Sequence, residues 1–402
     1  MKIFVVTDEP FPSGGAGTNR ILSYTKGIAA LGHFVKVLCL RPTEISKAKP
    51  LNTIVRGEFQ DVEFEYTSGT TQWPTNKANK AYFLIRGAIR AIRVLRQSKV
   101  EDRNTIILLY SNDALYMTAF FLVSRVFHIT YLQEKSEYPF VLNRKTYFGK
   151  LYAKIYVNWF YKFFDGMIVM TDALMSYFKP LVRRNAKLLH VPMTVEPERF
   201  LSGKKHDGIS DYIAYCGPLP GNRDGIPTLI EAFNIIASKY PSLKLCLIGL
   251  TDGNDEWRNI VNRIDKLGLN DRVALVGRVL REEIPEYLNG ARILALARPD
   301  SFQSSGNFPT KLGEYLCTGN PVVVTRVGEV PLYLEHRVHA FLCRPGDPKA
   351  FADQMDAVLS DPEFAARVGR EGRALALRTF DYRIQSRRMV EFFNSFSHTL
   401  GG

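Results

Sequence analysis

The stretch from Arg298 to Thr325, RPDSFQSSGNFPTKLGEYLCTGNPVVVT, decides how this chain folds. It reads as a glycine-containing loop, a short helix and a buried strand. Phe308, Pro309 and Thr310 lead into the helix, and Lys311 to Leu316 form its first turns. Thr318, Gly319 and Asn320 break it, and Pro321 opens the apolar run Val322–Val324. Proline fixes φ and lacks a donor, so it suits the first residue of a strand and not its middle. A helix start carries unpaired N–H groups and partial positive charge, a natural seat for phosphate. Lys311 adds a full charge there. Glu314, three residues on, shares that face and can accept hydrogen bonds from two vicinal hydroxyls. Phosphate at the helix mouth and a carboxylate one turn in describe a nucleoside-diphosphate site. The same residues also suit an ordinary loop–helix–strand unit with a solvated glutamate.

Outward from this stretch, short apolar runs alternate with helical periodicity along both halves of the chain, which argues for parallel, doubly wound α/β sheets. The first half opens with strand Lys2–Thr7, the loop Pro10–Gly17, a helix from about Thr18 to Leu31 and strand Phe34–Leu40. Further strands are expected at Val62–Thr67, Thr105–Tyr110, Ile129–Gln133, Met167–Met170 and Lys187–Val191, with helices at Asn79–Gln97, Ala114–Val126, Tyr147–Phe164 and Asp172–Phe178. Met193–Ile209 breaks every periodicity and reads as a linker. Tyr212–Cys216 restarts the pattern, and Ile226–Ser238 is a clean helix. The expected organisation is a first Rossmann-like domain over residues 1–195, a second over 209–380, and a terminal amphipathic segment, 381–402, docking back on the first.

A chain of 402 residues fits two domains of about 200 residues each better than one core. The longest apolar stretches fall short of the roughly 20 residues of a spanning helix, and Met1–Thr7 does not read as a signal peptide. The five cysteines show no CxxC spacing and sit in strand-like runs, so they read as reduced core residues of a cytoplasmic protein and not as metal ligands. A net charge of +13 points to anionic partners. No nucleic-acid module accompanies it, which leaves phosphorylated ligands and an anionic membrane surface. Arg86, Arg90, Arg93 and Arg96 recur along the helix Asn79–Gln97, and Tyr147–Phe164 mixes lysines with many aromatic rings. Both patterns suit a peripheral membrane contact, and both also suit a solvated or core helix.

Gly15-Ala16-Gly17-Thr18-Asn19-Arg20 matches two glycines of a dinucleotide fingerprint, but Arg20 occupies the third place. No acidic residue ends the second strand, so a nicotinamide cofactor is not expected. Gly15 and Gly17 remain as a loop whose amides can approach a diphosphate. Glu137 follows the strand Ile129–Gln133, where ligands of open α/β sheets sit, and is the candidate carboxylate of the first half. Arg223 precedes the helix Ile226–Ser238, and a guanidinium suits forked contact with phosphate. Arg278 follows the strand Val273–Val276.

FPTKLGEYLCTGNPVVV resembles the donor-binding motif of family 4 glycosyltransferases, retaining enzymes of the GT-B fold, in particular their bacterial surface-polysaccharide branch. G-P-L, R-D-G and L-I-E-A-F between Gly217 and Phe233 resemble the same family. The resemblance implies two Rossmann-like domains facing a central cleft, and metal-independent transfer of a sugar from a nucleotide sugar to a saccharide or lipid-linked acceptor. It implies that Glu314 binds the donor ribose, with Pro309 and Thr310 beside it. Arg223 and Lys311 would bind the diphosphate, and the residues around Arg278 would line the base. The family has a second glutamate where this chain has Gly306, a place commonly assigned to the donor sugar. An epimerase of the same fold and a catalytically silent nucleotide-sugar-binding protein are the competing readings.

Overall fold

The computed structural model describes residues 1–45, 50–101, 104–219, 223–249 and 255–396. The tip of the loop Gly217–Gly225 (residues 220–222) and the end of the terminal segment (397–402) therefore lie outside the described residues. The chain divides into two compact units. One comprises Met1–Thr194 together with the chain from Tyr382 onward, and the other is Val195–Asp381.

The first unit is built on strands β1 (Lys2–Thr7), β2 (Phe34–Cys39), β3 (Arg56–Phe59), β4 (Val62–Tyr66), β5 (Thr105–Tyr110), β6 (Thr130–Lys135), β7 (Gly166–Val169) and β8 (Lys187–His190). They form one sheet in the order β3-β4-β2-β1-β5-β6-β7-β8. Every pairing is parallel except that of β3 with β4. That hairpin turns on Gln60 and Asp61, both at positive φ (52° and 62°), as a two-residue turn of matching twist requires. Nothing in Arg56-Gly57-Glu58-Phe59 announces a strand, so sequence reading passes over it. The central strands are buried on both faces, which is why they read as continuous apolar runs.

The core of this unit includes residues far apart in the chain. Ile21, Tyr24 and Ile28 of the first helix (Ala16–Ala30) share one cluster with Met389 and Phe393 of the terminal helix Tyr382–Asn394. Where the two helices cross, a Cβ on Gly27 would lie 2.2 Å from Ser386 Oγ, so only glycine permits the approach. The Ser386 hydroxyl donates to the carbonyl of Tyr24 at 3.2 Å.

Two outward faces of this unit carry apolar and basic groups together. The helix Lys77–Glu101 borders a groove of about 720 Å³ lined by Arg56, Tyr82, Ile85, Arg86, Ile89 and Arg93 among others. On Tyr147–Trp159 only Gly149, Ala153 and Tyr156 are buried, while Phe148 and Trp159 are 80% and 67% exposed. This second helix is thus less of a core element than its aromatic content suggests.

The second unit holds β9 (Tyr212–Cys216), β10 (Lys244–Ile248), β11 (Val273–Gly277), β12 (Ile293–Leu296), β13 (Val322–Thr325) and β14 (Phe341–Cys343). They form a fully parallel sheet in the order β11-β10-β9-β12-β13-β14. The chain leaves β9 for β10 on one side and later returns to its other side as β12. Between β9 and β12 the order reverses, and such a reversal opens a crevice at the carboxyl ends of the strands. In the first sheet the same reversal falls between β1 and β5.

Candidate active site

The helix Thr310–Thr318 starts directly behind buried Phe308 and Pro309, with Pro309 at the N-cap and no side chain capping it. Gly319 ends it at φ 77°, the left-handed conformation that lets the chain turn back into β13. Opposite the helix start runs the loop after β9. Gly225 closes that loop at φ 73°, and a Cβ there would lie 1.9 Å from the carbonyl oxygen of Ala297. Only glycine brings Arg223 and Asp224 so close to the end of β12.

Lys311 reaches from the helix to this loop. Its ammonium forms an ion pair with Asp224 Oδ2, donates to the Tyr215 hydroxyl at 3.1 Å, and lies 4.8 Å from the centre of that ring. The hydroxyl in turn donates to Asp224 at 2.8 Å. The Lys311 and Asp224 side chains are 16% and 13% exposed. Burial pushes the Asp224 carboxyl up, but the charge and hydrogen bond of Lys311 and the bond from Tyr215 outweigh it. The carboxyl ends below its usual range. Tyr315, one turn further, accepts from the backbone N–H of Cys216 at 2.7 Å and ties the helix to the end of β9.

Lys311 and the Arg223–Asp224 loop, read separately from the sequence, thus meet at one sheet edge. Arg223 itself is exposed. Arg298 adds a further cation, close enough to help lower Asp224. Its guanidinium donates to Asn307 at 3.0 Å, and its carbonyl accepts from Thr325 at 2.6 Å.

Glu314 stands one turn in from Lys311 and is 20% exposed. Its Oε1 accepts from Arg199 Nη1 at 2.6 Å, while Arg199 Nη2 donates to the carbonyl of Arg281 at 2.7 Å. Arg281 forms an ion pair with buried Glu196. Arg199 and Glu196 fall in the span that sequence reading treats as linker, where no periodicity marks them. Arg278 is exposed just beyond Gly277, whose φ is 77°. Thr310 is half-buried at the helix start. Gly306 is buried and follows the short helix Phe302–Ser305. On that helix both amide atoms of Gln303, three residues before the glycine, are buried without a hydrogen-bond partner, an unused acceptor and donor pair.

In the first unit Gly15 is exposed at the N-cap of the helix Ala16–Ala30, which lacks a side-chain cap. A Cβ on Gly17 would lie 3.0 Å from Cδ of Glu9. Burial raises the Glu9 carboxyl, and the negative charges of Asp8 and Glu137 add to the rise. Glu137 is therefore near the glycine loop, half-buried in the turn after β6. Asp8, ion-paired with Arg41 at 3.1 Å, is likewise raised, chiefly by burial.

Glu134 and Lys135 lie beyond the expected strand Ile129–Gln133, and the structure corrects that boundary. They are the last residues of β6, and both are buried. Glu134 forms an ion pair with Arg20, whose other N–H groups donate to the carbonyls of Val191 and Pro192 at 2.9 Å each. The arginine in the third glycine place of the fingerprint is thus a bridge between strand ends. Lys135 donates to Asn112 Oδ1, and burial pushes its ammonium down to about 7. Among the described residues no His, Cys, Asp and Glu cluster could hold a metal ion, and the five cysteines are free thiols.

Residues 204–375 match the family described as glycosyl transferases group 1, and they contain Arg223, Arg278, Lys311 and Glu314. The similarity to that family lies in these residues, which make up under half of the chain. Among curated relatives, the N-acetyl-alpha-D-glucosaminyl L-malate synthase of Bacillus anthracis is 28% identical over 155 residues, 39% of this chain and 38% of the relative. The amylovoran biosynthesis glycosyltransferase AmsK of Erwinia amylovora is 27% identical over 203 residues, 50% of this chain and 48% of the relative. The chain spans less than half the length of these two. Anabaena HepE, solved in complex with UDP, has a TM-score of 0.70 and 16% identity over 98% of this chain and all of that one. The fold is GT-B.

Proposed function

We propose that the chain is a retaining glycosyltransferase that moves a sugar from a nucleotide sugar to a saccharide or lipid-linked saccharide in cell-surface polysaccharide synthesis. The observation that carries this is the Lys311–Asp224–Tyr215 cluster at an uncapped helix start, beside Arg223 and within the family-matching residues. Asp224 keeps Lys311 aimed at the crevice. As the bond from the anomeric carbon to the departing diphosphate breaks, negative charge grows on its oxygens. Lys311, Arg223 and the helix start stabilise that charge without reorganising. The acceptor oxygen forms the new bond on the face the leaving group vacates, and its proton passes to a phosphate oxygen. Glu314 accepts the ribose hydroxyls, the segment at Arg278 lines the base, and Pro309 and Thr310 border the phosphates. The unpaired amide of Gln303 offers the sugar hydroxyls a neutral partner where the family's glutamate is replaced by Gly306.

The acceptor belongs to the first unit, beside Glu137 in the turn after β6, and the amides at Gly15 and Gly17 are offered to a phosphate. A lipid-linked acceptor would bring the enzyme to the inner face of the cell membrane. The groove beside Lys77–Glu101 and the exposed rings of Tyr147–Trp159 are suited to anionic headgroups and the lipid interface. Among the described residues no helix is long and apolar enough to cross a membrane.

Thermal stabilisation by UDP, GDP and ADP, followed by product formation from the matching nucleotide sugar, tests the proposal. Binding without turnover would leave a nucleotide-sugar-binding protein. Isomerised free nucleotide sugar would make it an epimerase.

A further inference from the structure

The carboxylate assigned to the ribose does not stand alone. Arg199 lies on the single turn Pro197–Phe200, is 12% exposed, and uses its two terminal nitrogens on two different elements. One holds Glu314 Oε1 on the helix Thr310–Thr318. The other holds the main-chain carbonyl of Arg281 in the segment after β11. The reverse link is present too, since the Arg281 guanidinium returns to Glu196 beside that turn.

We propose that Arg199 is the positioning residue of the nucleoside subsite, fixing the ribose-binding carboxylate and the base-lining segment in one register. The inference rests on the assignment of Glu314 to the donor ribose. A guanidinium is planar and its donors are fixed in a fork, so two acceptors it bridges cannot drift independently. The contact also selects which carboxylate oxygen remains available. An ionised carboxylate offers about four acceptor sites. With Oε1 engaged by Arg199, Oε2 is left to take both vicinal hydroxyls of a ribose. Without the arginine, Glu314 must be ordered by the ligand itself, and that ordering weakens binding. A lysine retains the charge and one contact but cannot span both acceptors.

The test is titration calorimetry on the full chain with UDP, GDP and ADP, then with the 2′,3′-dideoxy form of the tightest of the three and with inorganic pyrophosphate. Arg199→Met should weaken the nucleoside diphosphate about tenfold or more. It should leave pyrophosphate within about twofold, and draw the ribo-to-dideoxy affinity ratio toward one. Arg199→Lys should fall between wild type and Arg199→Met, and it carries the test alone if the methionine variant does not fold. An unchanged ratio in the folded variants would overturn the inference, whatever happens to their melting temperature. An equal loss for pyrophosphate would also overturn it, because the role would then lie at the diphosphate. If the wild type binds none of the three nucleotides, the assignment of the donor site falls, and this inference falls with it.

Discussion

Replacing Lys311 with methionine tests whether the cluster at the helix start is an electrostatic device. The change keeps most of the aliphatic stem and removes the charge, leaving Asp224 only 13% exposed with the Tyr215 hydrogen bond and the more distant Arg298 charge. Two unit charges in contact at about 3 Å attract by roughly 5 kcal/mol at an effective dielectric constant near 20. Desolvation of both groups removes a large part of that. Breaking a fully buried pair costs about 3–5 kcal/mol and breaking an exposed one about 0–1. At this depth we expect a loss of about 2–3 kcal/mol at neutral pH. The pH dependence gives the sharper signature. In the wild type the Asp224 carboxyl lies below its ordinary value. Its contribution is therefore fully present above the unfolded value of about 3.9 and is lost as pH falls through the lower folded value. In Lys311→Met only the Tyr215 bond and the Arg298 charge are left to oppose burial, so the folded carboxyl moves up from its wild-type position. Protonation on acidification then costs the variant less than the wild type. The stability gap between the two proteins should be widest near neutral pH and close as pH falls toward 3. Urea denaturation at several pH values measures it. A gap that does not change with pH, or no gap at all, would refute the reasoning.

The remaining expectations concern ligands. Arg223→Ala and Lys311→Ala should each lower kcat by about a hundredfold or more while raising the donor KM less, since charge on the leaving group is greatest in the transition state. Steady-state kinetics of the double variant should show less than the product of the two single effects, because both groups serve one diphosphate. Glu314→Ala should retain the fold and weaken the nucleotide by about 1.5–3 kcal/mol, read by calorimetry; undiminished affinity would remove Glu314 from the site. Co-sedimentation with vesicles should favour anionic over neutral lipid and decline with salt. Replacing Arg86 and Arg93 together should abolish that preference, and equal recovery on both lipids at low salt counts against the membrane face.

Local patterns give the scaffold away, whereas pairings at long range hide much of the site. β1, β5 and β9 are legible to the residue because each is a short apolar run bounded by polar punctuation. β6 extends past its apolar part because Glu134 finds Arg20, 114 positions earlier, and Lys135 finds Asn112. Neither partner is visible in the strand's own sequence. Arg199 is hidden for the same reason, as its partners lie 115 and 82 positions away. Asp224 adjoins a residue the sequence does single out. What marks Asp224 is the reach of Lys311 across the sheet edge, and only the strand order β9-β12 makes that reach short.

The terminal helix has a consequence for how the protein is made. Met389 and Phe393 fill the same core as Ile21, Tyr24 and Ile28, so the unit synthesised first cannot be finished first. Chain growth at about 5–20 residues per second puts on the order of 10–40 seconds between residue 194 and the residues that complete that core. Throughout that interval the nascent first unit presents an unfilled apolar seat at Gly27, while the whole second unit, Val195–Asp381, emerges and has all its strands to hand. The order of completion therefore reverses the order of synthesis. A fragment cut at residue 194 would carry that open seat permanently, as a sticky surface and a binding site for residues 382–396 supplied as a separate peptide.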